Sequence, residues 1–258
     1  MKLLSKLFIT LTAMTAATGV NASENLVSLV DETLTYDVIY KWGFINKVAG
    51  YATMSLKNDG PLLKASVFAR NAPWANSIYM LRDTLYTTMT RGNFYPVEYT
   101  LIQHEAGKYK KDVLTFTHTG DEFDVKAVRY KKSPSSAMTT STINLSGKGM
   151  AVDMLSSFFY LRSLDFASMP LKHTTTVNIF SGSKKELLSI TYLGKQTLSW
   201  NGENLETYYV NFTFTRNGVQ SSDPIEGWIT TDPRRIPLKV EGSLAIGKVR
   251  AIYTGPNP

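Results

Sequence analysis

The residues able to do chemistry do not fall into known catalytic spacings. The three histidines, His104, His118 and His173, match neither the H-x-H nor the H-E-x-x-H spacing of zinc sites. The acidic cluster at 121–124 lacks the alternating ligands and the glycine of a calcium loop. A G-x-S-x-G nucleophile elbow is also missing. We therefore predict no catalytic residues, no metal, no cofactor and no enzyme activity.

A basic cluster is predicted at the open end of a hairpin. Alternating segments at 108–118 and 122–132 flank the turn former Gly120, so they should pair antiparallel. The pairing would bring together five cations: Lys108, Lys110, Arg129, Lys131 and Lys132. Like charges that face each other in a sheet cost stability, and contact with an anionic lipid or glycan would compensate them. The alternative is a solvated edge whose lysines prevent aggregation.

Aromatic side chains are a second candidate for binding. The chain has 14 Tyr, 12 Phe and 4 Trp, enough to line a sugar platform or an apolar cavity. Trp74 and Trp200 lie beside expected loops, so we expect them to be exposed and available to a ligand. The alternative is that aromatic residues fill the core, because β-structures favour them in any case.

One segment has the periodicity of a long helix. Residues 150–164 carry an apolar stripe, and Pro170 bars its continuation. Such a helix would lie on the concave side of a sheet. Four of its side chains would then face a ligand cavity: Met154, Leu155, Phe158 and Phe159.

The remaining chain reads as strand after strand. Leu34 to Trp42 alternates with a period of two, and Asn-Gly and Asp-Gly turn formers separate later segments. We predict a mainly β fold of about eleven strands. A sheet of that size must curl, so we expect a barrel or half-barrel with the 150–164 helix as lid or plug. The alternative is a two-sheet sandwich. A short helical turn is expected at 73–81, and a polar loop at 133–149 should join two strand-rich halves of one domain, 23–258.

The first residues indicate export. Lys2 and Lys6 precede an uncharged run from Leu7 to Val20, and small residues place a cleavage site after Ala22. We therefore predict a signal peptide over 1–22 and a periplasmic product. Absence of cysteine removes disulfides and a lipoprotein anchor. The net charge of +7 permits an anionic partner, whereas nucleic acid does not suit an exported protein. We expect a soluble monomer without a transmembrane span.

Several segments, taken in order, resemble one family. They are the runs DMLSSFFYLR (Asp153 to Arg162), WITTDPRRIPLKVE (Trp228 to Glu241), YDVIY (Tyr36 to Tyr40) with GYA (Gly50 to Ala52), and YMLRD (Tyr79 to Asp83). Together they resemble the bacterial domain of unknown function 3108. The resemblance implies an exported, β-rich envelope protein and supplies no catalytic residues. Phe158 and Phe159 stand where that family commonly has tyrosine, which leaves a packing role but no hydroxyl.

These observations favour a binding module or carrier for an amphipathic lipid or glycan. A continuous apolar cavity under Met154, Leu155 and Phe158 would favour the carrier. The alternative is an envelope scaffold that binds other proteins and no small molecule. We interpret Arg82 and Asp83 as a structural ion pair at the start of a strand.

Overall fold

The computed structural model describes residues 29–77, 80–182 and 184–256, so the predicted signal peptide at 1–22 lies outside the described residues. Sixteen strands form within these ranges. They are β1 Glu32–Trp42, β2 Ile45–Asp59, β3 Leu62–Asn71, β4 Leu81–Thr90, β5 Pro96–Glu105, β6 Lys108–Thr119, β7 Glu122–Lys132, β8 Thr139–Lys148, β9 Ala151–Asp153, β10 Thr174–Ser181, β11 Lys184–Trp200, β12 Glu203–Arg216, β13 Val219–Gln220, β14 Ile225–Thr230, β15 Pro237–Ser243 and β16 Lys248–Tyr253. A 3₁₀-helix covers Pro73–Ser77, and helix α1 covers Ser156–Ser163.

The strands form one continuous sheet. Its hydrogen-bonded order is β8-β7-β6-β5-β4-β3-β2-β1-β16-β15-β14-β12-β11-β10-β9, with β13 paired to β12. The first eight strands are a meander, and the pairing of β1 with β16 joins the two halves of the chain. The mainly β prediction is confirmed, but the count of about eleven strands is too low. Three of the additional strands, β8, β9 and β13, have no strand signal in the sequence.

Side chains close the gap between the two ends of this sheet. The Nζ of Lys185 in β11 donates to the carbonyl of Ser146 in β8 (2.9 Å), and the Nδ2 of Asn178 in β10 donates to that of Lys148 (3.0 Å). Phe180 packs at 5.6 Å, edge to face, on the rings of Phe116 and Phe123. The result is a nearly closed barrel and not the two-sheet sandwich considered as an alternative.

Alternate residues of each strand fill the barrel. Leu34, Tyr36 and Val38 of β1 are each 1% exposed, while Thr35 and Asp37 between them are half-buried on the outer face. This alternation is the period of two that predicted β1 from the sequence. Because one core cluster runs through most strands and α1, the inside of the described barrel is filled by side chains.

The predicted helix at 150–164 is wrong in its first third. Ala151–Asp153 instead pairs parallel with β10, and α1 has only eight residues. Asp153 ends the strand and begins the helix, because its Oδ1 accepts the backbone N–H groups of Leu155 (2.7 Å) and Ser156 (2.9 Å). The apolar stripe misled the prediction because β9 is buried on both faces and therefore continues the apolar pattern of the helix.

Two further segments differ from prediction. The expected helical turn at 73–81 is a 3₁₀-helix at Pro73–Ser77, and Leu81 already begins β4. The expected loop at 133–149 contains β8, which is paired with β7 along ten residues. β8 is mostly polar because its side chains are largely exposed, so it lacks the apolar alternation by which half-buried strands are recognised.

The barrel has two distinct ends. Helix α1 fills the end where β1 begins, and its Arg162 contacts Glu32 there. We call the other end, where β1 ends and β4 and β6 begin, the basic end. The turns at 43–44, 106–107 and 244–247 lie there.

Candidate functional site

One row of outward-facing side chains crosses six neighbouring strands at the basic end. Each member is the register partner of the next: Tyr51, Arg70, Arg82, His104, Tyr109 and Lys132. Tyr109 is half-buried and the other five are exposed. At about 4.8 Å between strands, the row is about 24 Å long. We call it the cationic row.

Two arginines stand directly opposite each other in this row. Arg70 of β3 and Arg82 of β4 are register partners, and the Arg70 guanidinium lies over the Tyr51 ring, 5.7 Å from its centroid. Neither arginine forms an ion pair with a carboxylate of the described chain. The two arginines line an open pocket of about 310 Å³, together with Tyr51, Asn71, Pro73 and Asn76. We call it the arginine pocket.

Three large apolar side chains are exposed at the same end, in or next to its turns. Phe44 is 101% exposed at the β1–β2 turn, Trp42 beside it is 54% exposed, and Ile246 of the β15–β16 turn is 59% exposed. The two turns touch: the Oη of Tyr40 donates to the carbonyl of Ile246 (3.1 Å), and Gly247 lies against Trp42. These three residues therefore form one exposed patch, which we call the apolar tip.

A polar network lies on the inner face beneath the cationic row. The Nζ of Lys110 donates to Oε1 of Gln103 (2.8 Å), and Nε2 of Gln103 donates to Oδ2 of Asp83 (2.9 Å). Asp112 is fully buried. Its Oδ2 lies 2.9 Å from Nζ of Lys110, and its Oδ1 accepts a hydrogen bond from Nε of Arg129 (2.8 Å). The network joins β4, β5, β6 and β7, and it compensates the carboxylates that the barrel has removed from water.

Asp83 is the weakly satisfied member of this network. It is 2% exposed, and only one of its carboxylate oxygens is hydrogen-bonded to a described residue. Burial raises the pKa of Asp83 to about 7, against the smaller opposing effect of the hydrogen bond from Gln103. Burial likewise raises the pKa of Asp153, which accepts backbone N–H groups at the start of α1, to about 6.

The five residues of the predicted basic patch differ in exposure and in ion pairing. The hairpin of β6 and β7 is confirmed, and the register pairs Lys110 with Lys131. Lys108, Lys131 and Lys132 are exposed, whereas Lys110 and Arg129 are tied to Asp112. The like charges are thus partly compensated by a buried carboxylate. Lys110 and Arg129 support the strands, and the exposed lysines remain available to a partner.

The predicted cavity residues lie inside the core. Met154 and Phe158 are 2% exposed, and Leu155 and Phe159 are 0% exposed. Side chains with so little accessible surface border no water-sized space, so no cavity opens under these four. They pack the helix against the barrel. This core-filling role is the one considered above as the alternative for the aromatic residues.

The two tryptophans expected to be exposed are both engaged locally. Trp200 is 4% exposed, and its Nε1 donates to the carbonyl of Tyr253 (2.9 Å), so the prediction of exposure is wrong for it. Trp74 is half-buried; its Nε1 donates to the carbonyl of Val48 (2.6 Å), and Nζ of Lys47 lies 4.8 Å from its ring centroid. Trp74 holds the 3₁₀-helix against β2.

Arg82 and Asp83 do not form the ion pair expected at the start of β4. They are neighbours in a strand, so their side chains point to opposite faces, and Asp83 is buried while Arg82 is exposed. The period of two already excluded that pair. Sequence reasoning also missed the apolar tip, although Trp42, Gly43 and Phe44 at the end of a strand are a visible signal for an aromatic turn.

No group of three or more potential metal ligands occurs in the described parts of the chain. His118 stacks on Tyr95 (4.4 Å) and is half-buried, and His104 packs beside Tyr109 (5.1 Å). Over the described residues, no helix combines the length and the apolar character needed to cross a bilayer.

Comparison with one solved structure supports the β-barrel-like fold. The chain is similar to a β-barrel-like protein of domain of unknown function DUF1849 from Brucella abortus, with a TM-score of 0.58 and 11% identity over 88% of this chain and 97% of that one. A second, weaker similarity is to a protein with a YmcC-like fold from Bacteroides fragilis NCTC 9343, at 7% identity over 86% of this chain and 92% of that one, with a TM-score of 0.33. No curated protein matches the sequence significantly.

The family resemblance noted in the sequence is confirmed by a match to a family profile. The profile described as "Protein of unknown function (DUF3108)" matches residues 35–254. This span begins in β1 and ends just after β16, so it includes all of the barrel except the first residues of β1, together with α1 and the basic end. The chain therefore belongs to the DUF3108 family of proteins of unknown function.

Proposed function

We propose that the protein is an exported, non-catalytic binding module that contacts an anionic lipid surface with the basic end of its barrel. One observation carries the proposal: the apolar tip is exposed at the same end that carries the cationic row. Apolar side chains that enter a lipid surface and cations that stay at its headgroups together make a protein bind an anionic membrane. Export rests on the basic, uncharged and small-residue order of the first 22 residues.

The tip supports this proposal through its exposure and its surroundings. Phe44 has lost none of its accessible surface to the fold, and Trp42 retains 54%. Exposed aromatic residues of this size are unfavourable in water, and Trp and Tyr are typical of the boundary between lipid and water. Lys41 and Lys47 flank the tip on β1 and β2, and both are exposed.

The filled interior supports contact outside the barrel. Met154, Leu155, Phe158 and Phe159 leave no space next to the helix, so a lipid held there would have to displace the core. The outer surface needs no such rearrangement. For this reason we place the ligand at the cationic row and the apolar tip and not under α1.

Tryptophan fluorescence tests the proposal directly. Trp42 is 54% exposed, whereas Trp200 and Trp228 are 4% and 7% exposed and Trp74 is half-buried. Addition of vesicles of phosphatidylglycerol and phosphatidylcholine should therefore shift the emission to shorter wavelength, mainly through Trp42. Trp42→Phe should abolish most of the shift while vesicle co-sedimentation persists.

A second pair of variants tests the apolar contribution. Phe44→Ser should weaken vesicle binding about tenfold or more, because burial of a Phe side chain contributes about 1.5–3 kcal/mol. Leu171→Ser is the matched control, since Leu171 is 63% exposed but lies before β10, away from the basic end. Equal binding to neutral vesicles, or equal binding by the Phe44→Ser and Leu171→Ser variants, would contradict the proposal.

A further inference from the structure

We propose that the arginine pocket binds the phosphate of a phosphomonoester or of a lipid headgroup, and this inference deepens the proposed function by naming the group that the basic end recognises. The pocket is built by β2, β3, β4 and the 3₁₀-helix. Its principal cations are Arg70 and Arg82.

The positive charge of the arginine pair is unbalanced. Residues that are directly opposite on antiparallel strands have Cβ atoms about 4.5–5.5 Å apart, and like charges there are destabilising. Arg70 and Arg82 hold this position without an ion-pair partner among the described carboxylates. Asp83 beside Arg82 points to the inner face. Asp37 of β1 is the register partner of Tyr51 of β2. It therefore lies two strands from Arg70, a distance of about 10 Å. A bound dianion would balance the pair.

The geometry of the arginine pair suits a phosphate. Two guanidinium groups on adjacent strands can each donate two parallel hydrogen bonds to one phosphate, which a single lysine cannot do. The Tyr51 ring supports the Arg70 guanidinium from one side, 5.7 Å away. Asn76 adds an exposed amide to the rim. The arrangement places two guanidinium groups and one amide around a single pocket.

The size of the pocket limits the ligand that it can hold. A pocket of about 310 Å³ is at the lower end of ligand-binding sites, which suits a headgroup and not a complete lipid. The pocket is open to solvent on the outer face and shares the cationic row with Lys132 and His104. A phosphate could therefore arrive on a soluble molecule or at the surface of a membrane.

Calorimetric titration with glycerol 1-phosphate tests the pocket on the full chain. Wild-type protein should bind glycerol 1-phosphate and not glycerol, and Arg82→Gln should weaken binding about tenfold or more, as expected for a lost charge-assisted hydrogen bond. Arg216→Gln is the control, because it removes one exposed arginine of β12 outside the pocket. Equal affinities of wild type and the Arg82→Gln variant would overturn the inference.

Stability and vesicle measurements complete the test. The melting temperature of the Arg82→Gln variant should be no lower than that of wild type, because the substitution relieves a like-charge pair, so lost binding would not reflect unfolding. If the variant also loses affinity for vesicles with phosphatidic acid, the phosphate belongs to a headgroup; if it loses only glycerol 1-phosphate, the phosphate belongs to a soluble molecule. The effect of Phe44→Ser on vesicles tests the proposed function separately and does not depend on the pocket.

Discussion

Arg162 in α1 donates two hydrogen bonds to the backbone carbonyl of Arg234, from Nη2 at 2.7 Å and from Nε at 3.1 Å. Its Nη1 donates to the carboxylate of Glu32, and the Arg162 side chain is fully buried. Arg234 belongs to the turn between β14 and β15. The two sequence runs that most clearly resemble the family, 153–162 and 228–241, therefore meet in one buried contact that fastens the helix to the barrel.

Loss of Arg162 should be strongly destabilising. Arg162→Met would leave the Glu32 carboxylate, only 6% exposed, with Arg234 at 3.8 Å as its remaining described ion-pair partner. Removal of one member of a buried ion pair costs about 3–5 kcal/mol, because the other charge stays buried without compensation. Urea unfolding of wild type and variant measures the loss.

The double variant distinguishes the ion pair from simple packing. Glu32→Gln combined with Arg162→Met removes both charges, so the combined loss should be smaller than the sum of the two single losses. Strictly additive losses would show that the Glu32–Arg162 contact does not couple the helix to β1.

The strand pattern could be predicted from sequence wherever one face of a strand is buried. Leu34, Tyr36 and Val38 alternate with half-buried residues because the barrel has an inside and an outside. β8 could not be predicted in this way. Its Thr- and Ser-rich sequence forms a strand because β7 offers a free edge, and that is a property of the partner and not of the segment.

The candidate site was only partly accessible to sequence reasoning. The predicted hairpin pairs 108–118 with 122–132, and this pairing places Lys131 and Lys132 close to Lys108. The cationic row depends on the register of five consecutive strand pairs, and each bulge or loop shifts it by residues that no local pattern specifies. Arg70 and Arg82 are twelve positions apart in the sequence and adjacent only because the 3₁₀-helix connects their strands.

Gly182 is predicted to be essential for barrel closure. It has a φ of +64°, and a Cβ placed there would overlap the buried Asp112 carboxylate, which is held by Arg129. Gly182→Ala should therefore cost about 1–3 kcal/mol for overpacking in addition to the strain of a left-handed alanine. Thermal or urea unfolding measures the difference.

Gly120 provides a matched control for that substitution. Its φ is +61°, but its Cβ position has no neighbouring atom within 4 Å, so Gly120→Ala carries the backbone strain alone. We expect the Gly182→Ala variant to be clearly less stable than the Gly120→Ala variant. Similar stabilities would mean that the β10–β11 turn moves away from Asp112 without cost.

The side-chain bridge between the ends of the sheet should control local opening. Asn178→Ala removes the donor to the carbonyls of Lys148 (3.0 Å) and Met150 (3.1 Å). Amide hydrogen exchange in β8 should become faster, while β2 and β3, paired on both sides, keep their protection. Asn204→Ala, at an exposed position of β12, is the control and should leave β8 unchanged. Unaltered β8 exchange in the Asn178→Ala variant would assign closure to the aromatic contacts of Phe180.

Asp83 should make the protein less stable as the pH rises through neutrality. Its pKa is about 7 in the folded barrel and 3.8 in its ordinary state, so between these values the folded protein holds a proton that the unfolded chain has released. The stabilisation is complete below about pH 4 and is lost as the pH rises through 7. At about 1.4 kcal/mol per pH unit, the loss by pH 8 is on the order of 2–4 kcal/mol.

Comparison with Asp83→Asn isolates this effect. Asn is close to the protonated acid in shape and stays neutral, so the variant should match wild type near pH 3 and exceed its stability by an amount that grows from pH 5 to pH 8. Asp153, whose pKa is about 6, also lowers the free energy of unfolding as the pH rises. It does so equally in both proteins, so its effect cancels when the two free energies are subtracted. The measurement is the free energy of unfolding in urea at several pH values. A difference between the two proteins that stays constant from pH 5 to pH 8 would show that Asp83 is not protonated in the fold, and that Gln103 and Lys110 stabilise its charge more than burial opposes it.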